Sequence, residues 1–206
     1  MELTVKDLVQ WFEIVNEKIQ ANKDYLTSLD QPIGDGDHGI NMARGFQETV
    51  NKITSQDYED VSAVFKDIAM TVMAKVGGAA GPLYGTAFLK FSMAVKGSRS
   101  VNYEQFTRGL EAAVVGVKQR GKSAAGEKTI VDVWQPVTEH FKDERGFRSV
   151  QLFEVAKQAV EDTKEMMATK GRASYFKEKS IGHIDPGAFS SFLIFDALDQ
   201  VLKGDA

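Results

Sequence analysis

The 206-residue sequence contains no cysteine. This absence excludes disulfide frameworks, thiol nucleophiles and thiolate zinc sites, so any metal must be held by oxygen or imidazole ligands. Positive charge is not in excess either, because 25 Lys and Arg residues face 29 Asp and Glu residues, for a net charge of −4. A chain without a surplus of basic residues is a poor candidate for binding DNA or RNA.

Signals for membrane insertion and secretion are also lacking. The sequence has no apolar run of about eighteen residues, which is the length a membrane-spanning helix needs. Its first residues lack a basic region followed by an apolar stretch, as a secretory signal would have. With 43% hydrophobic and 26% charged residues, the composition is that of a globular protein. We expect a soluble, cytoplasmic protein with no membrane partner, and a single domain over residues 1–206.

No segment has the alternating pattern of a convincing strand, and helical periodicity dominates the chain. Apolar residues recur three or four positions apart, as at Val5, Leu8 and Phe12. The pattern predicts eight helices, over residues 4–22, 41–53, 60–75, 82–96, 103–119, 129–141, 150–169 and 186–202. Two of them are expected to begin with a proline at the first helical position, Pro82 and Pro186. The predicted fold class is therefore all-α.

The densest polar segment runs from Asp30 to Asn41 and includes Asp35, Asp37 and His38, with glycines between them. Crowded carboxylates repel one another unless they are protonated or neutralised, and hard divalent cations with oxygen ligands are the usual neutraliser. A solvated acidic turn is the alternative. The third aspartate, the histidine and the asparagine favour a metal site over that alternative.

Two familiar motifs fail in this same segment. An EF-hand counted from Asp35 would place Phe46 where the bidentate glutamate belongs. A dinucleotide-binding pattern, G-x-G-x-x-G, passes through Gly34, Gly36 and Gly39, but it needs a buried strand directly before it, and residues 28–32 do not form one.

A Walker A pattern, G-x-x-x-x-G-K-[ST], is matched letter for letter by residues 116–123. Residues 192–196 resemble an apolar strand that ends in a Walker B aspartate. A P-loop fold is therefore an alternative to the all-α fold. Helical periodicity continues up to the first of these segments, however, and the helix start at Asp185 and Pro186 precedes the second, so helices are preferred.

Two further loops are candidates for binding phosphate. Residues Gly77–Thr86 form a small-residue loop that runs into a helix N-terminus, where free N–H groups favour anions, although a tight turn between helices is the simpler alternative. The segment Lys170–Gly187 concentrates positive charge, and Arg172 is its natural bidentate donor. Lys177 and Lys179 are also compatible with solvated surface charge.

Taken together, these motifs resemble those of the nucleotide-binding subunits of bacterial dihydroxyacetone kinases. The matching segments, in order along the chain, are Ile33–Gly39, Gly77–Gly85, Gly126–Thr129 and Gly171–Gly187. The resemblance implies an all-α, single-domain barrel of eight antiparallel helices, with the nucleotide at one end between the loops. It also implies that the Walker-like segment is a coincidence.

The resemblance further implies roles for individual residues. Asp30, Asp35 and Asp37 would bind two Mg²⁺ ions that bridge the phosphates of ADP or ATP. The other nucleotide-binding residues would be His38, Asn41, Gly78, Ala79, Ala80, Leu83, Gly121, Thr129, Arg172, Asp185, Pro186 and Gly187. The family commonly has serine at the position of Ala80, so one hydroxyl that could touch phosphate is missing here. No residue of the set is an obvious general base.

The function implied by the resemblance is that of a phosphotransferase subunit. It would transfer a phosphoryl group to dihydroxyacetone bound on a partner kinase subunit, and a phosphocarrier subunit of the phosphoenolpyruvate-dependent phosphotransferase system would re-phosphorylate the ADP in place. The sequence leaves free ATP open as the phosphoryl donor. Two alternatives remain: an ATP-dependent kinase domain of the fatty-acid-kinase type, which has threonine at the position of His38, and a non-catalytic module that docks on a transcriptional regulator.

Overall fold

The computed structural model describes residues 1–143 and 152–204, which are mostly helical. The helices in these ranges are α1 (Val5–Ala21), α2 (Lys23–Asp30), α3 (His38–Thr54), α4 (Val61–Lys75), α5 (Ala80–Ala94), α6 (Tyr103–Gly121), α7 (Val131–Lys142), α8 (Leu152–Asp162) and α9 (Pro186–Lys203). Two 3₁₀-helical segments, Thr163–Glu165 and Arg172–Ser180, lie between α8 and α9. Two short strands, β1 (Glu2–Thr4) and β2 (Ser100–Asn102), pair antiparallel with Leu3 opposite Val101.

Eight of these helices form a closed ring. Helix α1 packs on α3, each of the helices from α3 to α8 packs on the next, and α9 packs back on α1. Helix α2 lies beside the ring, in contact with α3, α9 and α1. The all-α barrel implied by the resemblance is therefore confirmed, with α2 as an additional short helix.

Side-chain caps explain where several helices begin. Thr4 and Asp7 form the capping box expected at the start of α1, because the backbone N–H of each residue donates to the side-chain oxygen of the other. The carboxylate of Asp60 accepts the N–H of Ala63 at 2.8 Å and starts α4. At the start of α9, Asp185 is the N-cap and Pro186 is the first helical residue, as predicted.

The interior of the ring is filled by aromatic side chains. Trp11 contacts Phe106, and Phe88 contacts both Phe12 and Trp134, with ring centroids 5.2–6.1 Å apart. All of these side chains are 2% exposed or less. Burying one such side chain contributes about 1.5–3 kcal/mol, so this aromatic core contributes substantially to the stability of the barrel.

The structure corrects several predicted boundaries. Helix α2 was not predicted because it has only Leu26 and Asp30 buried, which leaves no apolar stripe. Strands β1 and β2 are too short to show a period of two. Helix α5 begins at Ala80 and not at Pro82, since proline is tolerated throughout the first turn, where its missing N–H has no helical partner. Helix α3 begins three residues earlier than predicted, at His38.

The helix predicted over residues 150–169 ends as an α-helix at Asp162 and continues as a 3₁₀ turn to Glu165. Its predicted start at Val150 lies outside the described residues. The P-loop alternative is wrong, because the Walker-like segment lies largely inside α6 and residues 192–196 lie inside α9. Across the described ranges, no helix combines the length and apolar character needed to cross a bilayer.

Candidate functional site

An open cleft of about 690 Å³ lies where four helices of the ring begin. It is lined by the first residues of α3, α5 and α9 and by Thr129 and Ile130 just before α7. These four helices occupy every second position in the ring, so adjacent ring members run in opposite directions, as predicted for an antiparallel barrel. The positive ends of four helix dipoles therefore face one cleft, and its volume is typical of a small-molecule site.

The loop Asp30–Asn41, called the aspartate loop below, brings its three aspartates together. One carboxylate oxygen from each of Asp30, Asp35 and Asp37 lies within 4.8 Å of the others, and the described part of the chain contains no second group of this kind. Asp30 is buried and accepts the backbone N–H groups of Asp37 at 3.0 Å and His38 at 3.2 Å. A convergent set of carboxylate oxygens fits Mg²⁺, which prefers hard oxygen ligands.

Glycine is required in the aspartate loop by close approach. A Cβ atom on Gly34 would lie 1.9 Å from Oδ1 of Asp30, which is far shorter than any non-bonded contact between carbon and oxygen. The loop can therefore fold tightly around Asp30 only because residue 34 has no side chain. This contact explains why glycine occupies position 34.

Arg172 places a positive charge beside the aspartates. Its Nη2 atom lies 2.9 Å from Oδ2 of Asp35, although both side chains are partly open to solvent. The preceding residue, Gly171, has φ 65° and ψ −165°, a conformation that essentially only glycine adopts. The Gly-Arg pair thus directs the guanidinium toward the cleft, where it can donate to a phosphate.

A largely buried hydrogen-bond network joins residues of the cleft lining to Ser190 and Ser191. The Nε2 atom of His38 lies 3.0 Å from Oγ of Ser190, and the hydroxyl of Tyr84 lies within 2.8 Å of the hydroxyls of Ser190 and Ser191 and of the carbonyl of Gly187. Burial lowers the pKa of His38, while Asp30 and Asp37 oppose this shift. Burial thus favours the neutral imidazole, which acts as a hydrogen-bonding group within the network.

Two charged residues in or next to the cleft were not singled out by sequence analysis: Lys128, which lines it, and Asp132, which contacts the adjoining loop. The Lys128 side chain is buried, and its Nζ atom donates to backbone carbonyls. The carboxylate of Asp132 accepts the N–H groups of Gly126 at 2.5 Å and Thr129 at 2.7 Å, which orders the loop before α7. A lysine in a polar loop normally indicates solvent exposure, so the sequence carries no signal for its burial.

Burial also shifts the pKa of Asp185, the N-cap of α9. Its pKa is raised to about 7, mainly by desolvation; the N–H of Ala188 and the charge of Lys128 oppose the shift, whereas Asp132 and Asp30 add to it. The cleft thus contains carboxylates in two environments. The aspartate loop is accessible to a cation, and Asp185 is enclosed.

The cleft brings together nearly all of the residues implied by the resemblance. Those that line it are Asp30, Asp35, Asp37, His38, Asn41, Gly78, Ala79, Ala80, Leu83, Thr129, Arg172, Asp185, Pro186 and Gly187. Gly121 does not line it, because it lies behind Leu83, where a Cβ atom would be 3.2 Å from Cδ2 of that leucine. Lining residues not expected from the sequence include Ile33, Tyr84, Lys128, Ile130 and Tyr175.

Known proteins similar to this chain indicate its family. The model of the DAK2 domain matches residues 32–200. The "PEP-dependent dihydroxyacetone kinase 1, ADP-binding subunit DhaL" of Listeria innocua is 50% identical over 192 residues, which are 93% of this chain and 94% of that protein. The chain belongs to the DhaL family.

A second DhaL protein, the "PTS-dependent dihydroxyacetone kinase, ADP-binding subunit DhaL" of Lactococcus lactis, is 46% identical, and the match covers 97% of this chain and 99% of that protein. The fold of this DhaL-family chain is similar to that of a solved dihydroxyacetone kinase of C. freundii in complex with AMP-PNP and Mg²⁺. The TM-score is 0.74 at 22% identity, over 93% of this chain and 33% of that one. This likeness supports the barrel fold.

Proposed function

We propose that this chain holds ADP or ATP together with two Mg²⁺ ions and transfers a phosphoryl group to dihydroxyacetone bound on a partner subunit. The observation that carries the proposal is the convergence of Asp30, Asp35 and Asp37 in a cleft that four helix N-termini face. The relatives named as ADP-binding DhaL subunits support the choice of nucleotide and substrate.

The residues of the cleft fit the demands of phosphoryl transfer, which are positioning and neutralisation of charge. The three aspartates would hold the Mg²⁺ ions, whose chemistry is to neutralise and orient the phosphate oxygens. Arg172 would donate to a phosphate oxygen, and the N–H groups at the start of α5 would donate to another, since Ala79 provides no side-chain cap there. Leu83 and Ile130 supply apolar surface for the base.

We propose no general base for the substrate hydroxyl on this chain, since the His38 ring contacts Ser190 and the Asp185 carboxylate accepts the N–H of Ala188. We therefore assign substrate binding to the partner, a dihydroxyacetone-binding kinase subunit. The proposed donor is a phosphocarrier subunit that re-phosphorylates ADP in place in the cytoplasm. Relatives named as PEP-dependent or PTS-dependent support this donor over free ATP.

The test is reconstitution of the purified chain with dihydroxyacetone-binding and phosphocarrier subunits. Formation of dihydroxyacetone phosphate from phosphoenolpyruvate is expected from the wild type. Asp35→Ala should abolish it without unfolding the chain, and Asp57→Ala, which removes an exposed aspartate between α3 and α4, should leave it unchanged. Full turnover by Asp35→Ala would exclude the proposed metal site. Turnover with ATP but not with the phosphocarrier would exclude the proposed donor.

A further inference from the structure

Lys128 is a buried cation whose donors all meet backbone carbonyls. The residue is 1% exposed, and its Nζ atom donates to the carbonyls of Thr163 at 2.7 Å and Met166 at 3.2 Å and to that of His183. An ammonium group has three N–H donors, so these bonds use its full capacity. A buried charge is costly unless it is satisfied in this way, and nearby Asp185 supplies a compensating negative charge.

The backbone at Lys128 is also unusual. It adopts φ 60°, in the left-handed region that lysine rarely enters. Asp132 fixes the loop on both sides of it by accepting the N–H groups of Gly126 and Thr129. Such a conformation persists only where the surroundings determine it strongly, and it directs the side chain inward between the cleft and the segment after α8.

The three carbonyls that accept from Lys128 belong to the segment that covers one side of the cleft. This cover segment, residues 163–183, contributes Lys170, Gly171, Arg172, Ala173 and Tyr175 to the lining. Its two ends, near residues 163–166 and at residue 183, are both bound by the single Lys128 ammonium. The remaining links from the same loop lie at the surface, where Glu127 contacts Thr169 and Lys170.

We infer that Lys128 is a positioning residue that closes the base of the cover segment and thereby sets how long a nucleotide stays bound. It acts through Arg172 and the residues beside it. The inference rests on the proposed function for the identity of the ligand. It concerns this chain's own contacts, which are testable in the nucleotide-free protein as well.

The chemistry of the side chain explains why lysine is needed at this position. Its tetrahedral ammonium group can direct three donors at three carbonyls, whereas the planar guanidinium of arginine is larger and directs its donors in one plane. Methionine has a similar length and flexibility but no donor, so Lys128→Met would remove one donor from each of three carbonyls of the cover segment. Among the described residues, only the carbonyl of Thr163 keeps another donor, the N–H of Met166.

The first experiment measures closure of the cover segment without nucleotide. Trypsin cleavage after Lys170, Arg172, Lys177 and Lys179 is followed by mass spectrometry in the wild type, in Lys128→Met and in Val64→Ala. Val64 is fully buried in α4, so its variant controls for a general loss of stability. The inference predicts faster cleavage at these four sites in Lys128→Met only. Equal cleavage in both variants would overturn it.

The second experiment measures dissociation of a fluorescent ADP analogue in the presence of Mg²⁺, chased by excess ADP. Lys128→Met is expected to raise the dissociation rate at least about tenfold, with a much smaller change in the association rate, because buried bonds to a charged group are lost. Val64→Ala should dissociate like the wild type. An unchanged rate in Lys128→Met would contradict the inference.

If Lys128→Met does not fold, Lys128→Gln, which keeps an N–H donor, replaces it in both experiments. An intermediate cleavage rate and an intermediate dissociation rate are then expected, and wild-type behaviour would overturn the inference. The two proposals fail separately. Absence of nucleotide binding by the wild type would remove the proposed function, whereas the trypsin result tests the contacts of Lys128 by itself.

Discussion

The Nε2 atom of His38 lies 3.0 Å from Oγ of Ser190, and this contact joins the aspartate loop to the first turn of α9. Ser190 in turn lies 2.7 Å from the hydroxyl of Tyr84 on α5. Three elements that line the cleft are thus linked by buried hydrogen bonds. This link keeps Asp37, a proposed metal ligand, in a fixed position relative to the turn at Asp185.

Tyr84→Phe tests whether this network positions the cleft. The change removes one hydroxyl from the network, although the carbonyl of Gly187 still accepts the hydroxyl of Ser190. We therefore expect a loss of about 0.5–1.5 kcal/mol in the free energy of unfolding and a weaker affinity for ADP. Urea unfolding and calorimetry measure the two effects.

Tyr58→Phe is the matched control for Tyr84→Phe. It removes a tyrosine hydroxyl that lies 2.9 Å from Asp67, on elements that do not line the cleft. We expect its ADP affinity to equal that of the wild type. If Tyr84→Phe also binds ADP like the wild type, the network is only a source of stability.

Arg172→Ala tests the proposed phosphate donor. We expect ADP affinity to fall by about tenfold to a hundredfold, since a charge-assisted bond is lost, while stability changes by less than about 0.5 kcal/mol because the pair with Asp35 is exposed to solvent. Lys179→Ala, on the same segment but outside the cleft, should have no effect on affinity. Equal affinities in the two variants would exclude the role of Arg172.

Ala80→Ser restores the hydroxyl that the family commonly has at this position. Residue 80 is the first residue of α5 and lines the cleft, so the new hydroxyl can donate to a phosphate. One added hydrogen bond is expected to raise ADP affinity by up to about tenfold in calorimetry, without loss of stability. A weaker affinity would show that the small side chain is required.

Asp185→Asn tests the pH dependence of stability. The folded-state pKa of about 7 lies above the unfolded value, so folding favours the protonated form. The contribution of this group to the free energy of unfolding is fully present below about pH 4. It decreases as the pH rises toward about 7, by at most about 1.4 kcal/mol per pH unit. Asparagine can still accept the N–H of Ala188 but does not titrate.

The expected result is a difference between Asp185→Asn and the wild type that grows in favour of the variant from pH 4.5 to 7.5. It is measured by urea unfolding in EDTA without nucleotide. Burial lowers the pKa of His38, which acts in the opposite direction in both proteins and cancels in the comparison. A constant difference across this range would show that Asp185 does not titrate there.

The sequence predicted the barrel helices because their apolar stripes must face one core. The segment rich in glycine and aspartate also indicated that Asp30, Asp35 and Asp37 lie together, and the structure shows this convergence, while the binding of a metal there stays a prediction. Helix α2 was not predicted, as only Leu26 and Asp30 of it are buried. Lys128 was not predicted either, because its partners are backbone carbonyls about 35 to 55 positions away, which leave no side-chain pattern. The position of Gly121 behind Leu83 depends on packing alone.

The central claim is that the three aspartates bind a nucleotide through Mg²⁺. The most direct measurement is calorimetric titration of the nucleotide-free protein with ADP, once with Mg²⁺ and once with EDTA, for the wild type, Asp35→Ala and Asp57→Ala. The account predicts tight binding only with Mg²⁺, lost in Asp35→Ala and retained in Asp57→Ala. Equal binding in EDTA, or no binding by the wild type in either condition, would contradict it.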